Sequence, residues 1–174
     1  MTDDGWRSVL VLGGARSGKS RRAQALAEGC GAATRLFVAT AQAFDDEMAA
    51  RIARHRADRD GGWRTVEAPL DLPAAMRAHD AADAVLLVDC LTLWTSNLLL
   101  GDHDVDAATD ALLAALAGAR ARVVLVSNEV GWGIVPDNAL ARRFRDVAGR
   151  VNQRVAAAAD RVELVVAGLP MMLK

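Results

Sequence analysis

A glycine-rich stretch near the start of the chain constrains its fold more than any other feature. An apolar run, residues 9–12, precedes it and a helix-like segment, residues 21–27, follows it. The stretch itself reads Gly13, Gly14, Ala15, Arg16, Ser17, Gly18, Lys19 and Ser20. It matches the G-x-x-x-x-G-K-[ST] pattern, in which small residues let backbone N–H groups surround a phosphate. The sequence therefore predicts a strand, a phosphate-binding loop and a helix.

The last two residues of the loop indicate which phosphate compound binds there. Lys19 can reach the outer phosphates, and the Ser20 hydroxyl can ligate Mg²⁺. The start of the following helix adds unpaired N–H groups and the positive end of the helix dipole. The alternative is a glycine turn that happens to precede Lys-Ser, but the flanking strand and helix argue against it. We expect a nucleoside triphosphate.

Charge and composition exclude several classes of protein. The 174 residues include 21 basic and 22 acidic ones, so the chain lacks the positive footprint of a nucleic-acid-binding protein. Cys30 and Cys90 match no metal or disulfide spacing and are expected to be reduced packing residues. A membrane span needs about eighteen consecutive apolar residues, and no run in the sequence approaches this length. The acidic start of the chain is unlike a signal peptide. We expect no membrane span and a cytoplasmic protein.

Five short β-rich runs alternate with helix-like segments. They cover residues 9–12, 36–39, 85–88, 123–126 and 162–166. Strands that are apolar at every position and alternate with helices indicate a mostly parallel sheet with both faces covered. The predicted class is α/β. Because no linker or repeat divides the chain, we expect a single domain over residues 1–174.

Local signals mark several helices. Asp71 can cap a helix that has Pro73 in its first turn, and either Asp104 or Asp106 can cap a later one. The last long helix carries an apolar stripe. The residues of that stripe are Phe144, Val147, Ala148, Val151 and Val155.

Polar residues follow several of the predicted strands. Ligands of open parallel sheets bind beyond the carboxyl ends of the strands, so Thr40, Asp89, Asn128 and Glu129 are candidate site residues. Asp89 fits a Walker B carboxylate that holds a metal or its water; a contact to a nucleotide base and a loop cap are the alternatives. Asn128 and Glu129 can bind substrate or a magnesium-bound water, or satisfy loop backbone groups instead.

A basic segment with one histidine is a second candidate site. Residues 45–59 begin with acids and end in bases, which favours a helix. Arg51, His55 and Arg59 are spaced four apart and share one face, where a phosphate could dock. Neighbouring guanidinium groups disfavour the imidazolium form and leave a lone pair for attack on phosphorus. Against this, an exposed histidine on a charged helix is more often part of the surface.

Ordered motifs extend over nearly the whole chain. Beyond the glycine loop they are Val38-Ala39-Thr40-Ala41-Gln42, Asp45-Asp46-Glu47-Met48, Arg51-Ile52 with His55 and Arg59, Asp89-Cys90-Leu91-Thr92-Leu93-Trp94 with Asn97-Leu98, Val126-Ser127-Asn128-Glu129-Val130-Gly131 with Gly133-Ile134-Val135-Pro136, and Phe144-Arg145-Asp146 with Gly149-Arg150-Val151-Asn152-Gln153. Many NTPases share the loop, whereas the ordered set is specific. It resembles the bifunctional adenosylcobinamide kinase / adenosylcobinamide-phosphate guanylyltransferase family of cobalamin biosynthesis.

The resemblance implies a fold, an assembly and two reactions. The fold is a RecA-like P-loop NTPase, and the assembly is a homotrimer. In the first reaction ATP or GTP phosphorylates the aminopropanol hydroxyl of adenosylcobinamide. In the second, GMP passes from GTP through a guanylylated histidine to adenosylcobinamide phosphate, which gives adenosylcobinamide-GDP and pyrophosphate. Mg²⁺ is the implied cofactor.

The resemblance also assigns site residues. The guanylylated histidine falls on His55, and Lys19 is expected to act in both steps. Ser20 and Asp89 are the expected metal ligands, although Asp89 could meet guanine instead. The implied nucleotide contacts are Gly13, Gly14, Ala15, Arg16, Ser17, Gly18, Lys19, Ser20, Val38, Ala39, Thr40, Arg56, Ala57, Asp58, Arg59, Glu67 and Asp89. Trp94 and Trp132 could either line a corrinoid-binding surface or pack in the core.

Overall fold

The computed structural model describes residues 5–42 and 61–174, which form one seven-stranded sheet with helices on both faces. The strands are β1 (Ser8–Gly13), β2 (Thr34–Ala39), β3 (Trp63–Glu67), β4 (Ala84–Asp89), β5 (Arg122–Asn128), β6 (Arg161–Val166) and β7 (Leu169–Met172). The described helices are α1 (Lys19–Gly29), α2 (Leu72–Ala78), α3 (Leu91–Leu100), α4 (Val105–Gly118) and α5 (Ala139–Ala158). The helix predicted over 45–59 lies outside the described residues.

The strand order determines which loops can share a site. Across the sheet it is β3-β2-β4-β5-β1-β6-β7, so β5 lies between β1 and β4. All neighbours pair in parallel except β7, which is antiparallel to β6. The predicted α/β class with a mostly parallel sheet is confirmed. The carboxyl ends of six strands therefore point to the same edge, which we call the carboxyl edge.

The alternation of side chains along the strands explains the continuous apolar runs within β1, β2, β4 and β5. Leu10 of β1 belongs to the buried cluster that contains Leu112 of α4 and Val151 of α5. Its neighbour Val11 belongs to the cluster on the other face, with Ala23 of α1. Successive strand residues point to opposite faces, so a strand covered on both faces is apolar at every position.

The two strands at the edges of the sheet escaped the sequence prediction. β3 is half-exposed and mixes Trp63, Arg64 and Glu67, while all four residues of β7 are exposed. An edge strand buries less surface and needs no continuous apolar run, so its pattern resembles a loop. Pro170 in β7 fits an edge position, because proline cannot donate to a sheet ladder.

The predicted caps are confirmed and a third one is added. Asp71 Oδ1 accepts a hydrogen bond from Ala74 N at 3.2 Å. Asp104, rather than Asp106, caps α4, because Asp104 Oδ1 accepts from Ala107 N at 3.0 Å. Asn138 begins α5 in the same way. Among the described residues, no helix has the length and apolar character that crossing a membrane requires.

Candidate functional site

The glycine loop joins β1 to α1 at the carboxyl edge. Gly18 is the N-cap of α1 and has a left-handed φ of 96°. Glycine adopts this conformation without strain, and it brings no side chain that could occupy the first N–H groups of the helix. At Gly13, a Cβ would lie 2.7 Å from Val165 O. Two glycines of the motif are therefore required, one by backbone conformation and one by close packing.

Lys19 and Ser20 lie in the first turn of the helix. Lys19 Nζ donates to Gly14 O at 3.1 Å, so its ammonium group lies over the loop. Ser20 is half-buried. Helix N–H groups, the helix dipole and a lysine at one loop provide the charge that a phosphate chain needs.

The turn between β6 and β7 contacts the phosphate loop and supports it. Gly168 N donates to Ser17 O at 2.8 Å. Ala167 and Gly168 have left-handed φ values of 51° and 81°, as in the two-residue turns that suit a hairpin. This contact joins residues 151 positions apart and was not predicted from the sequence. The Ala-Gly pair between two strands is its one local signal.

β5 brings polar residues next to the loop. Asn128 pairs with Gly13 in the β1–β5 ladder, and Glu129 N donates to Gly13 O at 3.1 Å. Asp89 lies at the tip of β4 on the far side of β5, where it pairs with Val126. With strands about 4.8 Å apart, Asp89 is about 10 Å from the strand that carries the loop, so a bridging group is needed between them.

The other predicted nucleotide contacts lie further along the same edge. Ala39 pairs with Glu67 on one side and with Asp89 on the other. Val38 is fully buried and can offer only backbone groups, whereas Glu67 is exposed. The predicted contacts His55, Arg56, Ala57, Asp58 and Arg59 lie outside the described residues.

Thr40 ties two strand ends together. Its hydroxyl donates to Cys90 O at 2.7 Å and accepts from Cys90 N at 2.8 Å, and the side chain is fully buried. Asn97 of α3 donates to Thr40 O at 2.8 Å and to Pro69 O at 2.9 Å. The Thr40 hydroxyl is thus committed to the protein, and a nucleotide contact at this position would use backbone atoms.

Trp94 and Trp132 differ sharply in environment. Trp94 has no exposed surface and its Nε1 donates to Leu70 O at 2.7 Å, so it packs in the core. Trp132 is 73% exposed in the loop after β5. Of the two, only Trp132 is placed where it could meet a ligand.

A buried polar network supports the end of β5. Ser127 Oγ donates to Asn152 Oδ1 of α5 at 2.6 Å, and Asn152 Nδ2 donates to Asn128 O at 3.1 Å. Asn128 N donates to Thr92 Oγ1 of α3 at 2.7 Å. Because both flanking helices hold this strand end, the segment that leads to Glu129 has a defined position.

An ion pair anchors the helix that follows the loop. Glu163 of β6 is 1% exposed, and both its oxygens accept from the Arg22 guanidinium, at 2.8 and 2.9 Å. Burial alone would raise the pKa of Glu163, but hydrogen bonds and charge from Arg22, with the charge of Arg161, outweigh it and lower that pKa. Arg22 lies one position after Arg21 and two after Ser20, so the pair fixes the turn that carries the loop's polar groups.

Cys90 offers no nucleophile at neutral pH. Both cysteines are free. Burial, together with the nearby charge of Asp89, raises the pKa of the Cys90 thiol to about 11. A thiol with that pKa stays protonated at neutral pH, so the expectation of packing residues stands for Cys90.

Ser20 and Asp89 suit magnesium by chemistry. A hydroxyl and a carboxylate are hard oxygen donors, which Mg²⁺ prefers. Within residues 5–42 and 61–174 there is no group of three or more His, Cys, Asp and Glu side chains that could hold a metal. A magnesium ion that arrives with a nucleotide needs few protein ligands, because phosphate oxygens and waters complete its shell.

Known proteins match this sequence over nearly its whole length. The family model for cobinamide kinase / cobinamide phosphate guanyltransferase matches residues 9–173. The bifunctional adenosylcobalamin biosynthesis protein CobP of Pseudomonas aeruginosa is 53% identical over 167 residues, which is 95% of this chain and 96% of that protein. The bifunctional adenosylcobalamin biosynthesis protein CobU of Salmonella typhimurium is 48% identical, over 95% of this chain and 99% of its own.

The fold also resembles that of more distant ATPases. A prototypical ATPase from the type III secretion system of pathogenic bacteria superposes with a TM-score of 0.57 at 12% identity. The match covers 95% of this chain but only 56% of that one, and at this identity it bears on the fold alone. The predicted RecA-like P-loop fold is confirmed. From the family match and the relatives at about half identity, the chain belongs to the cobinamide kinase / cobinamide phosphate guanyltransferase family.

Proposed function

We propose that this chain is a bifunctional enzyme of cobalamin biosynthesis that uses one phosphate cradle for two transfers. It phosphorylates adenosylcobinamide with ATP or GTP and then passes GMP from GTP to adenosylcobinamide phosphate. The observation that carries the proposal is the loop at the carboxyl edge, with Lys19 Nζ held over Gly14 O, in a chain of this family.

The kinase transfer needs charge stabilisation more than covalent chemistry. The hydroxyl oxygen of the substrate attacks the γ-phosphorus, and the nucleoside diphosphate leaves. Lys19 and the N–H groups at the start of α1 stabilise the negative charge on the transferred group. Magnesium, held through Ser20 and Asp89, would neutralise further phosphate charge when bound.

The guanylyl transfer uses His55 as nucleophile. A ring nitrogen forms a bond to the α-phosphorus of GTP, the bond to the bridging oxygen breaks, and pyrophosphate leaves. The phosphate oxygen of the corrinoid then attacks the same phosphorus, which frees the histidine and yields adenosylcobinamide-GDP. Covalent capture splits one displacement into two, so this transfer is expected to be ping-pong. The assignment of His55 rests on the family resemblance and on its basic helix-favouring segment.

Labelling with GTP tests the covalent step. Incubation with α-labelled GTP should give an acid-labile adduct that survives denaturation, and peptide mapping should place it on His55. His55→Ala should abolish the label and leave kinase activity, while His79→Ala, which removes a histidine in contact with Arg64, should keep both. Label retained in His55→Ala would identify another nucleophile.

A homotrimer in the cytoplasm completes the proposal. The edge strand β7 exposes Leu169, Met171 and Met172, each more than half accessible, which gives a second copy apolar surface to cover. The two free cysteines suit a reducing compartment. Sedimentation at the mass of three 18.4 kDa chains would support the trimer, and sedimentation as a single chain would contradict it.

A further inference from the structure

Glu129 lies at the phosphate loop but has no role in the transfers described so far. Its backbone N–H donates to Gly13 O, and Lys19 Nζ donates to Gly14 O, both at 3.1 Å. The backbone of the acidic residue and the lysine ammonium are thus bound to consecutive peptide units of one loop. Glu129 therefore follows the strand that is adjacent to β1, and its backbone is one hydrogen bond away from the phosphate loop.

The carboxylate of Glu129 keeps an oxygen available. Oε1 accepts from Gly131 N at 2.8 Å, and the residue is half-buried. In the described part of the chain, this N–H is the one hydrogen-bond partner of the carboxylate. The Gly131 bond orients the group, and Oε2 remains able to accept a proton.

The two transfers differ in their need for a proton acceptor. In the kinase transfer the nucleophile is an alcohol, whose proton must leave as the new O–P bond forms. In the guanylyl transfer a neutral imidazole attacks with a lone pair, and the second nucleophile is a phosphate oxygen that is already ionised. A base is therefore required in one transfer and dispensable in the other.

Given the proposed function, we infer that Glu129 is the general base of the kinase transfer. The substrate hydroxyl oxygen bonds to the γ-phosphorus, and the bond between that phosphorus and the β–γ bridging oxygen breaks. The nucleoside diphosphate leaves with the electron pair of that bond. The hydroxyl proton moves to the carboxylate of Glu129, which afterwards releases it to water.

Asp89 is the other acidic residue that could act as the base, but it lies further from the phosphate loop than Glu129 does. β5, which leads to Glu129, is hydrogen-bonded directly to β1, whereas Asp89 ends β4 with β5 in between. Asp89 has the shorter side chain and is about two strand spacings of 4.8 Å from β1. Glu129 also follows the strand end that Asn152 and Thr92 hold in place.

The test compares both transfers in Glu129→Gln. Glutamine keeps an oxygen that can accept from Gly131 N but cannot take up the proton at neutral pH. We expect kcat of corrinoid phosphorylation to fall by about 100-fold, the scale of general-base catalysis. The rate of labelling from α-labelled GTP and the Kd of a fluorescent GTP analogue should stay within about twofold.

Asp137→Asn is the matched control. It makes the same change of charge in the loop between β5 and α5, where Glu129 also lies. Asp137 is exposed, and its backbone carbonyl accepts a hydrogen bond from Arg142. It should leave both rates unchanged.

Two results would overturn the inference. One is an unchanged kinase rate in Glu129→Gln. The other is an equal loss of both transfers, which would indicate a metal or loop role. A wild-type protein that phosphorylates the corrinoid but takes no label from GTP would instead contradict the covalent step. In that case the kinase comparison still tests Glu129.

Discussion

Gly18 shows how a single residue shapes the phosphate loop. Its φ of 96° lies in the left-handed region, and a Cβ there would lie 3.2 Å from Gly168 Cα. The glycines of the motif were predicted from the pattern alone, because the pattern encodes this backbone requirement. The contact with the hairpin turn was not predictable, since it depends on a residue 150 positions later.

Gly18→Ala should therefore weaken both stability and nucleotide binding. We expect a loss of about 1–2 kcal/mol in the free energy of unfolding from the left-handed backbone, and a Kd for GTP raised at least tenfold by the shifted loop. Denaturant unfolding and a fluorescent-nucleotide titration measure the two effects.

The control is Gly149→Ala in the middle of α5, where an added Cβ meets nothing within 4 Å. It should stabilise the protein by about 0.5–1 kcal/mol and leave Kd unchanged. Equal nucleotide affinity in Gly18→Ala and the native protein would show that the loop tolerates a side chain.

Thr40 shows where residue-level prediction fell short. A polar residue after a strand was a candidate ligand, yet its hydroxyl is bound to both backbone groups of Cys90. Local sequence carries no sign of such a bond, because its partner, Cys90, lies 50 positions away, directly after β4. The role of His55 stays a prediction.

At the scale of elements, the junction of α1 with β6 depends on a buried charge. Glu163 is 1% exposed and pairs with Arg22, whose side chain is 30% exposed, and with Arg161. Removing one member of such a pair leaves the others without a counter-charge in a poorly hydrated place.

Glu163→Gln should lower the free energy of unfolding by about 3 kcal/mol, the lower end for a broken buried pair, because Arg22 retains some contact with water. The exposed pair Arg145–Asp146 provides the control. Asp146→Asn should change stability by less than about 1 kcal/mol. Similar losses in the two variants would mean that the buried pair has no special weight.

The five central strands and two of the helix caps were predictable, because a run rich in apolar residues and an Asp before a helix are local signals. β3 and β7 were not, because an edge strand has no such signal. The Ser127–Asn152 bond also escaped prediction, since it needs the packing of α5 on β5. At this scale, local pattern predicts elements, and their packing adds the polar links.

For the whole molecule, strand order decides what forms the site. The motifs predicted a parallel sheet, but not that β5 would separate the loop from Asp89. Order across a sheet depends on how the crossovers pack, which no short pattern records. That order is what makes Glu129, rather than Asp89, the neighbour of Gly13.

Acid should unfold the molecule through its paired carboxylates. Hydrogen bonds from Arg7 N and from Ser8 N and Oγ lower the pKa of Asp160 despite some burial, and the pKa of Glu163 is also lowered. A carboxyl group whose pKa is lower in the folded than in the unfolded protein stabilises the fold at pH values above its unfolded pKa. That stability is lost as the pH falls through the folded pKa. The free energy of unfolding should thus decline as the pH falls below 4.5, the ordinary pKa of a glutamate.

Denaturant unfolding at a series of pH values measures this decline. Asp160→Asn should be less stable than the native protein at neutral pH, and the difference should shrink as the pH falls. A constant difference down to the acid transition would show that Asp160 gains nothing from ionisation.

The central claim is that one phosphate cradle serves both transfers, and Lys19→Ala tests it most directly. Phosphorylation of adenosylcobinamide and labelling from α-labelled GTP are measured on the same preparation, with folding checked by circular dichroism. The account predicts that both rates fall by at least about 100-fold, because both transfers lose the same stabilisation of phosphate charge. A folded Lys19→Ala protein that loses one transfer and keeps the other at the native rate would contradict it.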